Sequence, residues 1–265
     1  MNKIAVVAKN KETHFIKRLS EEVGEPVPVF DPWSDLAFPE ARRYVVRTTG
    51  VYGSELDLLM LGSLPPTAVV NPREVLGRFR AKDLQYRWFE ESEVPCLPWL
   101  PVKGSDLLTV EKFFRLYPEA VVKPLRGQGG WGIEVLTWET FRPWRRRRGI
   151  DEDYLLQPFV KNAAEYRYFF IDGEAPLVLE RRSKSGIAAN FRRAGEARVA
   201  ALPAEFQSDV EALVERSGAV YGAIDLIVDG GRAMVLELNA VPGVEQLEAV
   251  TGQNVVGRLV DRLLR

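Results

Sequence analysis

With 265 residues, 46% of them apolar and 28% charged, the chain is long enough for two or three small domains and has a folded rather than a disordered composition. Its 36 basic and 37 acidic residues leave a formal charge of −1, so no global charge points to nucleic acid or to a membrane surface. The single cysteine, Cys96, excludes an internal disulfide, and the apolar stretch in MNKIAVVAKNK is too short for a signal segment or a spanning helix. A cytoplasmic location without a membrane partner is therefore expected.

Residues 3–8 read as a buried strand, 11–22 as a helix through Phe15, Ile16 and Leu19, and 43–47 as a second strand. A helix at 53–61 and a strand at 68–70 complete a small α/β unit. No GxGxxG follows the first strand, which leaves a dinucleotide site unsupported. One helix is expected through 73–91, then a proline-rich crossing from Val94 to Pro101. A helix at 106–116 precedes strands 119–124 and 132–136, a hairpin with a glycine-rich tip. RPWRRRRG (142–149) reads as a solvated loop after a short helix rather than as a site for an acidic tail or RNA, with Trp138 and Trp144 as packing residues. Strands are expected at 153–160, 165–171, 176–182, 220–228 and 232–239, with helices at 203–217 and 253–264. Cys96 reads as a packing residue near Pro95 and Pro98, since the only histidine, His14, lies in the first unit.

Chemistry concentrates in two stretches. In VLELNAVPG (235–243), Glu237 and Asn239 sit two residues apart on one strand and so share a face. A three-residue loop centred on Gly231 would place Asp225 opposite Glu237 on that face, whereas a two-residue Gly230-Gly231 turn would send it to the other. Apolar alternation favours the first. Two acids and an amide without His or Cys form a hard-oxygen set suited to Mg²⁺, although a solvent-facing polar strand remains equally open on these residues alone. In VVKPLRGQGGWG (121–132), Lys123 ends an apolar strand before Gly127, Gln128, Gly129 and Gly130. Such a loop lets backbone N–H groups converge on phosphates, or is simply a flexible hairpin tip.

Together with LLQPFVKNAAEYRYFFIDGE and LERRSKSGIAANFRRAG, these stretches resemble the ATP-grasp superfamily, and within it the RimK-like carboxylate–amine (alpha-L-glutamate) ligases. The likeness runs from about residue 41 to the C-terminus. It implies an α/β (α+β) fold: a pre-ATP-grasp domain at 1–80, a central subdomain with the flap at 81–155 and a C-terminal subdomain with the metal site at 156–265, a nucleotide lying between the last two. It implies ATP and two Mg²⁺ ions, with Mn²⁺ as a substitute, held by Asp225, Glu237 and Asn239. Lys82 and Lys123 then contact phosphates, as does the flap of Gly127, Gln128, Gly129 and Gly130. Gln157, Pro158, Phe159 and Val160 line the adenine, and Glu165 takes the ribose. Asn190, Arg192 and Arg193 face the γ-phosphate or an acyl phosphate. From the residues themselves, Arg167 and Arg181-Arg182 on their strands are suited to hold a substrate carboxylate bidentately, with surface ion pairing as a close competitor. Arg47 and Tyr52 would reach the cleft from the first domain. The chain departs from the family at Pro158, where an acid is usual, at Ala81 before Lys82, and in the short segment 187–189.

The implied reaction joins a carboxylate to an amine through an acyl phosphate, with a protein, peptide or small molecule as acceptor and a homo-oligomer left open. Two rivals stand beside it: an ATP-grasp peptide maturase or cyclase, and a non-catalytic ATP-binding regulatory protein.

Overall fold

The computed structural model describes residues 2–48, 55–103, 106–127, 130–148, 153–161, 163–182 and 196–265. In the first unit β1 (Asn2–Val7), β2 (Val29–Phe30), β3 (Ala41–Val46) and β4 (Val69–Val70) form a parallel sheet in the order β2-β1-β3-β4. Ile4 to Val7 are all buried, as a strand covered on both faces requires. α1 (His14–Val23) starts where Thr13 Oγ1 accepts the Ile16 N–H, and it buries Phe15, Ile16, Leu19 and Val23. α2 (Leu56–Leu61) follows β3.

Residues 73–91 form two helices, α3 (Arg73–Phe79) and α4 (Lys82–Glu91), rather than the one expected. The break has a local cause. Ala81 is extended, with φ −131° and ψ 142°, and the Lys82 N–H is donated to the Leu125 carbonyl instead of continuing a helical ladder. The Phe79 carbonyl left over is met by the Gln85 side-chain amide at 3.0 Å.

The second sheet holds β5 (Leu100–Pro101), β6 (Ala120–Pro124), β7 (Glu134–Leu136) and β8 (Tyr154–Pro158) in the order β5-β8-β6-β7. The β6–β7 hairpin is as expected, with Ala120 opposite Leu136. α5 (Leu107–Leu116) and α6 (Trp138–Arg148) pack on one face of this sheet through Val110, Phe114, Phe141 and Trp144. The arginine run is therefore not a loop but the last turns of α6. Phe141 and Trp144, three residues apart, bury one helix face, and the arginines occupy the remainder with their charge at the negative end of the helix dipole.

The third sheet carries β9 (Ala164–Ile171), β10 (Leu177–Arg182), β11 (Glu196–Val199), β12 (Tyr221–Asp229) and β13 (Arg232–Asn239), in the order β11-β10-β9-β12-β13. α7 (Gln207–Ser217) precedes β12, while α8 (Glu245–Thr251) and α9 (Val255–Leu264) follow β13. Tyr168, Phe170, Ile224, Leu226 and Leu238 point to one face and pack with Phe79, Phe89 and Leu213. Phe169, Leu179 and Ala223 point to the other, where Leu247, Val256 and Leu259 of α8 and α9 cover them alongside α1. β2, β5, β11 and α8 were not anticipated. Asn71, fully buried just after β4, ties the first unit to the third sheet. Its Nδ2 donates to the Tyr221 and Ala240 carbonyls at 2.8 and 2.7 Å, and its Oδ1 accepts from the Val220 and Tyr221 N–H groups at 2.7 and 3.1 Å.

Candidate active site

Asp225 lies opposite Glu237 across β12–β13, and Asn239, two residues on, lies opposite Ala223. The three oxygen-bearing side chains thus share the face predicted for them, but by a route the sequence reading did not foresee. The turn is the two-residue one, with Asp229 paired to Arg232 around Gly230 and Gly231, whose φ values of +54° and +74° suit a hairpin turn closed by glycines. Leu226 then pairs with Val235 and Asp225 with Glu237, so Leu236 is an extra residue in β13. This β-bulge shifts the register by one and returns Asp225 to the side of Glu237.

β13 is an edge strand, and its outward backbone groups are taken up. Tyr86 Oη donates to the bulged Leu236 carbonyl at 2.6 Å, the Val235 N–H donates to the Pro95 carbonyl at 2.8 Å, and the Leu238 N–H donates to Gln85 Oε1 at 3.0 Å. Tyr86 and Gln85 went unnoticed in the sequence. The signal for Tyr86 was its position one helical turn after Lys82, which puts both on one face of α4.

The same sheet face continues across β9 and β10. Arg167 stands opposite Asp225, and Arg181 opposite Glu165. Arg167 grips Asp225 with two parallel hydrogen bonds of 2.7 Å, from Nε to Oδ1 and from Nη2 to Oδ2. Arg181 Nη1 adds contacts of 3.2 Å to Asp225 Oδ1 and 3.3 Å to Glu165 Oε1. Arg167 thus points its fork at a carboxylate of the protein itself. Burial works to raise the Asp225 pKa, but Arg167, Arg181 and Lys123 outweigh it and hold the carboxyl below its usual range. For Arg167, burial acts against the charged form, and Asp225, Glu237 and Glu165 more than restore it.

The facing side comes from the second sheet. Lys123, on β6, is buried and lies 5.9 Å from the centre of the Tyr86 ring. Its pKa falls to about 8, first through burial and then through repulsion by Lys82, while Glu237, Glu165 and Asp225 pull the other way. One ammonium therefore feels the carboxylates of the opposite sheet, so the two sheets bring opposite charges face to face. Lys82 Nζ donates to the Gly127 carbonyl at 3.3 Å, at the root of the glycine hairpin. Trp131, at the tip of that hairpin beside Gly130, is 67% exposed.

Gln157, directly opposite Val121 and on the side of Lys123, is only 1% exposed, yet neither atom of its amide has a hydrogen-bond partner among the described residues. The Tyr86 hydroxyl beside it gives its proton to Leu236, which leaves only its oxygen facing the Gln157 amide. A buried, unserved amide is costly unless a ligand completes it. Gln157→Met should therefore leave the unfolding free energy measured in urea unchanged or raise it by up to about 1 kcal/mol. A large loss of stability would mean that the amide is bonded within the protein. The Phe159 N–H is donated to the Glu119 carbonyl at 2.9 Å, and Pro158 and Val160 are half-buried beside it.

The donor set Asp225, Glu237 and Asn239 fits a hard divalent cation: two carboxylates and an amide, with no third acid and no histidine joining them among the described residues. Asn239 Oδ1 accepts the Val241 N–H at 3.1 Å, which fixes its direction and leaves one lone pair. Arg47 instead donates to the Pro242 carbonyl at 2.9 Å and lies over the Phe15 ring at 4.3 Å, supporting the loop after Asn239. Gln128, Gly129, Asn190, Arg192, Arg193 and Tyr52 lie outside the described residues. No helix among the described residues is long and apolar enough to cross a membrane.

Comparison with known proteins bears on family and fold. The family model of the RimK-like ATP-grasp domain matches residues 95–263. A ribosomal protein bS6–L-glutamate ligase of Shigella flexneri serotype 5b is 26% identical over 289 residues, covering 97% of this chain and 94% of its own. Among solved structures, the D-cycloserine synthetase DcsG superposes with a TM-score of 0.76 at 20% identity, covering 99% of this chain and 100% of that one. The ATP-grasp ligase PsnB, complexed with a phosphomimetic precursor variant, Mg and ADP, gives 0.72 at 16% identity, covering 100% and 98%. The likenesses to the two solved structures extend over essentially the whole chain and show a shared fold.

Proposed function

Because the chain belongs to the RimK-like ATP-grasp family, we propose that it is an ATP- and Mg²⁺-dependent, ADP-forming carboxylate–amine ligase that adds an amino acid such as glutamate to a protein or small-molecule carboxylate. The observation that carries this reading is the opposition of Asp225 and Glu237 on one sheet, with the buried Lys123 of the facing sheet within their field.

An acceptor carboxylate oxygen attacks the γ-phosphorus, the bond to the β,γ-bridging oxygen breaks, and ADP departs with that electron pair. An amine nitrogen then attacks the acyl carbon, the carbon–oxygen bond to phosphate breaks, and the amine proton passes to solvent. Nothing here requires a nucleophilic side chain, so the protein's work is positioning and charge neutralisation. Lys82 and Lys123 hold the phosphates, while Gly127, Gln128, Gly129 and Gly130 close over them and keep water from the acyl phosphate. Gln157, Pro158, Phe159 and Val160 line the adenine, the Gln157 amide finding there the partner it lacks in the protein. Glu165 meets the ribose, and Asn190, Arg192 and Arg193 meet the transferring phosphoryl group. Asp225, Glu237 and Asn239 would hold Mg²⁺, or Mn²⁺ in its place, which would supply charge neutralisation to the triphosphate.

The test is ADP release measured over a panel of amino acids and carboxylates, with the product weighed by mass spectrometry. Release that requires both partners, and a product heavier by the amine less water, is the expected result. ADP formed without regard to the amine removes the proposal. A pH signature accompanies it. Lys123 carries its charge below about pH 8 and loses it above, so a fluorescent ATP analogue should bind roughly tenfold more weakly at high pH than at neutrality. Lys123→Met should bind weakly with no such step, and a wild-type affinity flat across that range contradicts the role given to Lys123.

A further inference from the structure

The grip of Arg167 and Arg181 on Asp225 is tighter than sheet packing requires, and it falls on a residue assigned to the cation. We propose that these two arginines are a built-in counter-ion that competes with a free divalent cation for Asp225, so that the metal position fills only together with the nucleotide's polyphosphate. This rests on the ligase reading above and adds an order of binding to it.

A carboxylate offers about four acceptor directions. Three of those on Asp225 are in use, two by the Arg167 fork at 2.7 Å and one by Arg181 at 3.2 Å. All three side chains are largely buried, at 11% exposure for Asp225, 18% for Arg167 and 4% for Arg181, so solvent screens their attraction weakly. The neighbourhood already carries one more positive group than negative. Arg167, Arg181, Lys123 and Lys82 stand with Asp225, Glu165 and Glu237. A lone divalent cation makes this cluster strongly positive, whereas a cation arriving with a triphosphate does not. Arg181 has a further donor for that anion: its Nε is buried without a hydrogen-bond partner among the described residues. A merely structural ion pair makes the opposite prediction, because its loss would loosen the carboxylate and weaken or leave unchanged any cation binding.

Mn²⁺ serves as the probe, titrated into the full chain and followed by the loss of the free-ion paramagnetic resonance signal, first without nucleotide and then with ADP. Arg167→Gln should bind free Mn²⁺ at least tenfold more tightly than wild type, and Arg167→Lys, which keeps the charge, should stay close to wild type. ADP should then tighten Mn²⁺ binding more in wild type than in Arg167→Gln. Equal or weaker Mn²⁺ binding by a folded Arg167→Gln overturns the competition while leaving the ligase reading intact. If circular dichroism shows that variant unfolded, Arg181→Gln decides by the same comparison, with a gain of at least threefold expected and no gain overturning the idea. Failure of wild type to bind ADP at all, with or without Mn²⁺, removes both readings.

Discussion

Glu237→Gln should reduce amine-dependent ADP release by at least about a thousandfold while leaving the fold intact, because in the proposed site one oxygen ligand and one negative charge are lost where the cations would neutralise the phosphates. The substitution keeps the side chain's shape. Among the described residues the Glu237 carboxylate makes no hydrogen bond or ion pair whose loss would weaken the fold, and the backbone of β13 around it is held by Tyr86, Gln85 and Pro95. Thermal unfolding should therefore fall within a few degrees of wild type. Activity close to wild type would show that the oxygen set is a polar strand face and nothing more.

The second large effect is on stability. Asn71→Leu removes the side-chain partner of two carbonyls and two N–H groups, buried or partly buried where β4 meets the third sheet. At about 1 kcal/mol or more for each backbone group left without a partner, the loss should reach at least about 4 kcal/mol. Urea unfolding followed by tryptophan emission measures it, and a loss below about 1 kcal/mol would show that water or a local shift replaces the amide. Catalysis should suffer as well, because the bonded groups of Val220, Tyr221 and Ala240 flank the strands that carry Asp225 and Asn239.

The alternation of Ile224, Leu226 and Val228 with Asp225, and of Leu236 and Leu238 with Glu237 and Asn239, made the shared face legible in the sequence. It could not reveal the means. A two-residue turn with a bulge at Leu236 yields the same parity beyond the bulge as a three-residue loop would, and only the pairing of Asp229 with Arg232 distinguishes them. The break between α3 and α4 was hidden for a similar reason: the Leu125 carbonyl that takes the Lys82 N–H comes from far along the chain. Charge density obscured α6, since Pro143 lowers helix propensity and five arginines mask the two aromatic residues that seat it. Arg167 was legible as a carboxylate binder, but the carboxylate it meets, Asp225, lies 58 residues away.

α4 has one more consequence. Its first residue is bonded to Leu125 and Gly127 at the root of the glycine hairpin, and its next turn is bonded through Gln85 and Tyr86 to β13. The helix is thus a pin seated in both jaws. Rotation of one jaw against the other about such a pin widens the far rim most and the gap beside Lys82 least. Such a rotation leaves the spacing between this ammonium and the carboxylate strand nearly constant.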